Sequence, residues 1–312
     1  MNIDMVVSGG GAKIPGLVGA YEVLVLRGFD PIRLAGSSAG AIIAALIAAG
    51  YSPAELKKIV FDLNFHKLAD GGRFGTKTFN LLVNKGIHKG NELEVLLHEL
   101  LAAKGVVTFG DLKIENAKIH KHSLKVLVSD ITNSRLTVFP DDAVLYGLKS
   151  DEINVAWAVR ASCSIPGFFR PVKLGNVYFV DGGALSNFPI WIFDERVATP
   201  RWPTFGLLLD ARESDEPNII NRWPHTYISA ILSAILSGRD RTYNRPEENV
   251  YRTIRIPVGN VRAIDYNMSQ QTKERLYISG VSATVKFLDS WSWNQYIDWA
   301  TKTRGIRGEN DV

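Results

Sequence analysis

The residue in this chain best suited to covalent chemistry is Ser38. It sits in Gly36-Ser37-Ser38-Ala39-Gly40, a G-x-S-x-G arrangement. A strand-like stretch, Ile32–Ala35, precedes it and the apolar run Ala41–Ala49 follows. A serine on a sharp strand-to-helix turn holds a strained backbone, and bulky neighbours two residues away would clash. Glycine on both flanks, Gly36 and Gly40, relieves that clash. Ala41, Ala44, Ala45 and Ala48 let the following helix sit close on a sheet, with its positive end aimed at charge forming near Ser38. A Gly/Ser loop that merely caps a helix has the same composition. The strand before it and the helix after it favour the reactive reading.

A second cluster follows the first strand-like run, Ile3–Val7: Gly9-Gly10-Gly11-Ala12-Lys13. Consecutive glycines let backbone N–H groups converge on one ligand oxygen. A phosphate cradle and an oxyanion hole both fit. The run lacks the third glycine of G-x-G-x-x-G, and the chain has no G-x-x-x-x-G-K-[ST]. With Ser38 on the next turn, the oxyanion hole is the better reading, with Ala39 as a further donor. A serine also needs a base. The six histidines, at 66, 88, 98, 120, 122 and 225, all lie away from Gly-flanked strand ends. His120-Lys121-His122 reads as a solvated face rather than a metal site. Asp181 is better placed. It ends the apolar run Val177–Val180 and precedes Gly182 and Gly183, so its carboxylate belongs at the carboxyl edge of a sheet. An Asp starting a Gly-Gly turn is the plainer alternative. The apolar strand is expected to raise the pKa of Asp181 modestly and leave it ionised at pH 7.

These residues need a frame of alternating strands and helices. Helical spacing is expected from Pro15 to Val25, over Ala41–Ala49, from Ser52 to about Leu63, and over Glu92–Lys104. Further helices are expected over Ile153–Ser162, Thr226–Ser237 and about Gln270–Trp291. Strands are expected at Ile3–Val7, Ile32–Ala35, Leu124–Ser129, Leu136–Phe139, Val177–Val180, Phe205–Leu209 and Val250–Ile256. A turn spans Gly36–Gly40, residues 66–74 form a surface loop, and residues 301–312 fray. The pattern implies one α/β domain over residues 1–312, three-layer α/β/α, with a mostly parallel central sheet. Residues 193–300 complete that sheet and its helices.

Composition excludes several classes. Of 312 residues, 46% are hydrophobic and 22% charged, which is globular rather than disordered. A formal charge of +4 is too weak and scattered for nucleic acid. One cysteine, Cys163, rules out an intrachain disulfide and a Cys-rich zinc site. The residue pattern calls for no metal and no cofactor. No signal peptide and no run of about 20 apolar residues is visible. A cytoplasmic protein touching membranes peripherally is expected, with export by a route without a signal peptide as the alternative.

Four motifs then fall in order: VVSGGGAK, AGSSAGA, RASCSIPGFFRPV and VDGGALSNFPI. Together, over about residues 3–192, they resemble the patatin-like phospholipases, with a weaker echo in Asp265–Gly280. The resemblance implies the patatin-like fold and a serine acyl hydrolase with a Ser–Asp dyad and no histidine. Ser38 matches the nucleophile and Asp181 the dyad aspartate. Gly9, Gly10 and Gly11 match the oxyanion loop, Lys13 its basic residue, and Arg160–Pro166 a segment beside the site. Ile14-Pro15 stands where the family usually has glycine, which stiffens the loop's exit. The expected activity is a phospholipase A or lysophospholipase on an acyl lipid. An acyltransferase using the same dyad and an inactive lipid-binding scaffold are the alternatives. Pro166–Phe169 and the Ile228/Ile231/Leu232/Ile235 face are candidate linings for the acyl chain. Arg239, Arg241 and Arg245 are candidates for anionic headgroups.

Overall fold

The computed structural model describes residues 1–63, 86–117, 119–195, 200–210, 249–263, 265 and 267–309. The expected loop at 66–74, the helix Thr226–Ser237 with its apolar face, the three arginines after it, His66 and His225 lie outside the described residues.

Eight strands make the main sheet: β1 (Asn2–Val7), β2 (Asp30–Ser37), β4 (Leu124–Asp130), β5 (Arg135–Phe139), β7 (Val172–Leu174), β8 (Val177–Asp181), β9 (Thr204–Asp210) and β10 (Thr253–Pro257). Two three-residue strands, β3 (Gly86–His88) and β6 (Gly167–Phe169), pair with each other apart from it. The order is β10-β9-β1-β2-β4-β8-β7, with β5 on β4. The run from β10 to β4 is parallel, whereas β4–β5, β4–β8 and β7–β8 are antiparallel. The sheet is therefore mixed at one end, not parallel throughout. For β4–β5 the cause is the short turn at Ile131–Ser134, and for β7–β8 the two residues Gly175-Asn176, since such short connections can only return a strand antiparallel.

Strand β4 organises this junction. It pairs with β5 through Val126–Asp130. Its other edge is shared: β2 occupies Leu124–Leu127 and β8 occupies Val128–Asp130. β2 runs with β4 and β8 runs against it, so their carboxyl ends meet where Ser37 faces Leu127 and Asp181 faces Val128.

The described helices are α1 (Ile14–Leu26), α2 (Ala39–Ala48), α3 (Pro53–Asp62), α4 (Asn91–Ala102), α5 (Val155–Ser162), α6 (Gln270–Ser290) and α7 (Trp293–Glu309). Three of these starts have a clear local cause. Pro15 opens α1, a Ser52–Glu55 capping box opens α3, and Asn154 accepts the Trp157 N–H to open α5. Alternate residues of β1 face opposite layers. Ile3, Met5 and Val7 pack with Leu17, Ile43 and Ala44, while Val6 packs with Phe188, Ile190 and Phe193. The architecture is the expected three-layer α/β/α. Helix α7 runs across most of the stretch expected to fray, through Glu309, and buried Tyr296 and Ala300 anchor it. Among the described residues, no helix is long and apolar enough to cross a membrane.

Candidate active site

The expected five-residue turn at Gly36–Gly40 is a single residue. Strand β2 runs through Ser37, helix α2 begins at Ala39, and Ser38 alone makes the corner with φ 53° and ψ −129°. A side chain other than glycine is strained at that positive φ. The flanking glycines are required by contact. A Cβ on Gly36 would fall 2.4 Å from the Gly40 carbonyl oxygen, and one on Gly40 would fall 2.3 Å from that of Val7.

The corner delivers the Ser38 hydroxyl to Asp181. Its Oγ donates to Oδ2 at 2.6 Å, across 143 residues of chain. Both side chains are buried, at 7% and 6% exposure. The other carboxylate oxygen, Oδ1, accepts the Gly183 N–H at 2.8 Å. The Asp181 N–H donates to the Ser164 carbonyl at 3.0 Å, and Ser129 Oγ donates to the Asp181 carbonyl at 2.9 Å and to that of Gly182 at 3.3 Å. Burial pushes the Asp181 carboxyl up to about 6, against the pull of the Ser38 hydroxyl and the Gly183 amide. A carboxylate in that range is ionised at neutral pH and still basic enough to accept a hydroxyl proton.

The glycine loop divides. Gly9 was expected to donate to the oxyanion, but its N–H is spent on the Asn187 carbonyl at 3.1 Å. Gly10, Gly11 and Ala39 donate to no acceptor among the described residues. Gly11 has φ +58°, and a Cβ there would fall 2.1 Å from the Ala263 carbonyl oxygen, which also accepts the Ala12 N–H at 2.8 Å. The segment before Asp265 thus clamps this loop. Lys13 is half-buried; burial pushes its ammonium down and the Asp265 carboxylate opposes this.

A narrow cleft opens over Ser38, bordered by Gly11 and Ala39 and walled by Ile14, Ile42, Leu93, Ile165, Phe168 and Phe169. Of the expected lining Pro166–Phe169, Phe168 and Phe169 are there. Arg160, 3% exposed, braces the wall: it donates to the carbonyls of Lys89, Gly90 and Arg170 and lies over the Phe169 ring. It also donates to Ser164 Oγ at 2.6 Å. Burial pushes the Cys163 thiol in this cleft up, which leaves it protonated.

No described histidine bonds to Ser38 or Asp181. His98 is exposed on α4, and His88 stacks near Phe168. His120-Lys121-His122 is not the expected solvated face. His122 is buried with Nε2 at 2.8 Å from Asp151 Oδ1, and His120 packs on Phe193. Only Lys121 points out. The distant carboxylate and ring that cover them carry no trace in the local sequence.

Comparison with known proteins places the chain in a family. The YqhO protein of Bacillus subtilis is 40% identical over 305 residues, 94% of this chain and 100% of its own. A protein of Invertebrate iridescent virus 6 named "Probable lipid hydrolase 463L" is 27% identical over 192 residues, 60% of this chain and 61% of its own. VipD from Legionella pneumophila superposes with a TM-score of 0.57 at 20% identity, over 92% of this chain and 67% of that one. ExoU of Pseudomonas aeruginosa, in its complex with SpcU, gives 0.51 at 22% identity, over 92% of this chain and about half, 51%, of its own. At such identities these two speak for the fold alone. The profile described as patatin-like phospholipase matches residues 5–194, a stretch that carries the glycine loop, the Ser38 corner and Asp181 together. By that match the chain belongs to the patatin-like phospholipase family.

Proposed function

We propose that this chain hydrolyses acyl esters of lipids, in the manner of a phospholipase A or lysophospholipase, through an acyl-enzyme on Ser38 with Asp181 as the base. The observation that carries the reading is the 2.6 Å bond from Ser38 Oγ to a buried carboxylate held at about 6. Asp181 takes the hydroxyl proton as Ser38 Oγ attacks the ester carbonyl. The negative oxygen of the tetrahedral intermediate meets the amides of Gly10, Gly11 and Ala39, at the positive end of α2. As the intermediate collapses, the alcohol leaves with the proton from Asp181. Water then repeats the sequence on the acyl-enzyme and releases the fatty acid. The apolar walls of the cleft suit an acyl chain. The family description and the viral relative's name point to the same substrate class. Such a substrate resides in a bilayer, so the protein meets membranes peripherally.

The test pairs a serine-directed fluorophosphonate probe with phosphatidylcholine and lysophosphatidylcholine vesicles. The expected outcome is labelling at Ser38, fatty acid release by wild type, and a loss on the order of 10,000-fold or more in Ser38→Ala with its fold intact. Turnover surviving in that variant would remove Ser38 from the reaction. Transfer of the acyl group to an added alcohol at the expense of free fatty acid would make the chain an acyltransferase instead.

A further inference from the structure

Ser162 ends α5 and is fully buried. Its Oγ accepts the backbone N–H of Ser38 at 2.9 Å and donates to the Leu127 carbonyl at 2.6 Å. A serine hydroxyl carries one proton. With that proton committed to Leu127, the oxygen serves Ser38 only as an acceptor, through one of its lone pairs. Leu127 is the β4 residue that faces Ser37, and the next residue, Val128, faces Asp181. One hydroxyl therefore ties the corner to the strand on which both candidate residues are registered. The tie also settles which amides can face a substrate. The Ser38 N–H is turned into the protein, and that of Ala39 is left at the head of α2. A corner at φ 53° is strained for a residue other than glycine and persists only where its surroundings over-determine it. Ser164, two residues on, holds the other partner through the Asp181 N–H.

We propose that Ser162 is a positioning residue for the acyl transfer, fixing the Ser38 corner so that its Oγ stays on Asp181 and its own amide stays out of the oxyanion hole. The inference rests on the reading of Ser38 as nucleophile. Ser162→Ala leaves the Ser38 N–H and the Leu127 carbonyl without their partner and frees the corner to rotate. A misplacement of about 1 Å costs roughly 100-fold in rate. The expectation is a kcat 10- to 100-fold lower on a short-chain p-nitrophenyl ester, roughly within the reach of such a misplacement. KM should stay within about threefold, and fluorophosphonate labelling of Ser38 should slow by the same factor as kcat.

Ser162→Cys fills the same space with a weaker donor and acceptor and is expected to fall between Ala and wild type. Val159→Ala on the same helix, also fully buried, removes packing without touching the hydroxyl. It should lower the melting temperature and leave kcat within twofold. The proposal is overturned if folded Ser162→Ala keeps kcat within twofold of wild type, or if Val159→Ala loses kcat as much as it does. Should Ser162→Ala not fold, a Cys variant as fast as wild type overturns it as well. If wild type itself resists the probe and Ser38→Ala still turns over, the nucleophile assignment has failed and Ser162 falls with it. If wild type labels at Ser38 and Ser162→Ala labels as fast, this proposal alone has failed.

Discussion

Two buried carboxylates on the same sheet are handled in opposite ways. Asp4, on β1, is 1% exposed and is gripped by the Arg33 fork at 2.5 and 2.6 Å, with the Trp202 indole N–H donating at 2.7 Å. Arg33 also reaches Glu195 at 2.6 Å and lies over the rings of Phe193 and Trp202. Asp181 is nearly as buried, but among the described residues its oxygens meet a hydroxyl and an amide, never a cation. Burial raises both carboxyls, and only at Asp4 does a guanidinium oppose it. A carboxylate locked in a rigid fork serves architecture. One whose main partner is a hydroxyl that can give up its proton is poised for chemistry.

Exchanging the charge at each end separates the two roles. Asp181→Asn is expected to lose at least about 1,000-fold in kcat, since the amide cannot take the proton. It should nonetheless fold more stably than wild type at pH 8. The folded-state value of about 6 lies above the unfolded 3.8, so the folded chain binds the extra proton between them and wild type loses stability as pH rises through that window. The loss amounts to about 3 kcal/mol above pH 6. Melting temperatures at pH 4 and pH 8 check this: a gain for Asn at both, or at neither, breaks the comparison.

Arg33→Met strands Asp4 and Glu195 and is expected to cost about 3–5 kcal/mol in urea unfolding, with kcat of the folded fraction unchanged. A large fall in kcat would mean the far cluster also shapes the site. Next in size is the pH profile. kcat/KM should rise to a plateau with a midpoint near 6, losing roughly tenfold per unit below it, in wild type and Arg33→Met alike. A midpoint that moves in the arginine variant would couple the two ends. The smallest effect is at Asn154, whose side chain caps α5 through the Trp157 N–H at 2.9 Å. Asn154→Ala should cost about 1 kcal/mol and leave the pH midpoint alone.

What the sequence disclosed follows from geometry that only certain residues tolerate. The Ser38 corner needs glycines two positions away on either side, so it announces itself, and Asp181 does so through Gly182 and Gly183. Strands β1, β2, β4, β8 and β9 are mainly apolar stretches between turn residues and were legible to within about two residues of their ends. What stayed hidden depends on direction rather than type. Nothing local tells that the Gly9 amide turns to Asn187 while those of Gly10 and Gly11 do not. Ser162 and Ser164 are small polar residues closing an apolar helix. Their spacing in Arg160-Ala-Ser-Cys-Ser was a usable signal, but their partners lie far along the chain. Strands β3 and β6 are too short for any periodicity, and in α7 the mix of aromatic and charged residues masks the helical repeat.

The shared edge of β4 has a consequence for how this protein comes into being. Ser38 and Asp181 are 143 residues apart and touch only where β2 and β8 dock end to end on one strand. Closing so long a loop is slow and is repaid late in folding. Under the mechanism proposed above, a chain that has formed its first two strands but has not yet received β8 carries Ser38 without its base and is chemically silent. Regain of esterase activity during refolding therefore clocks completion of that edge, and should lag behind the recovery of helical circular dichroism.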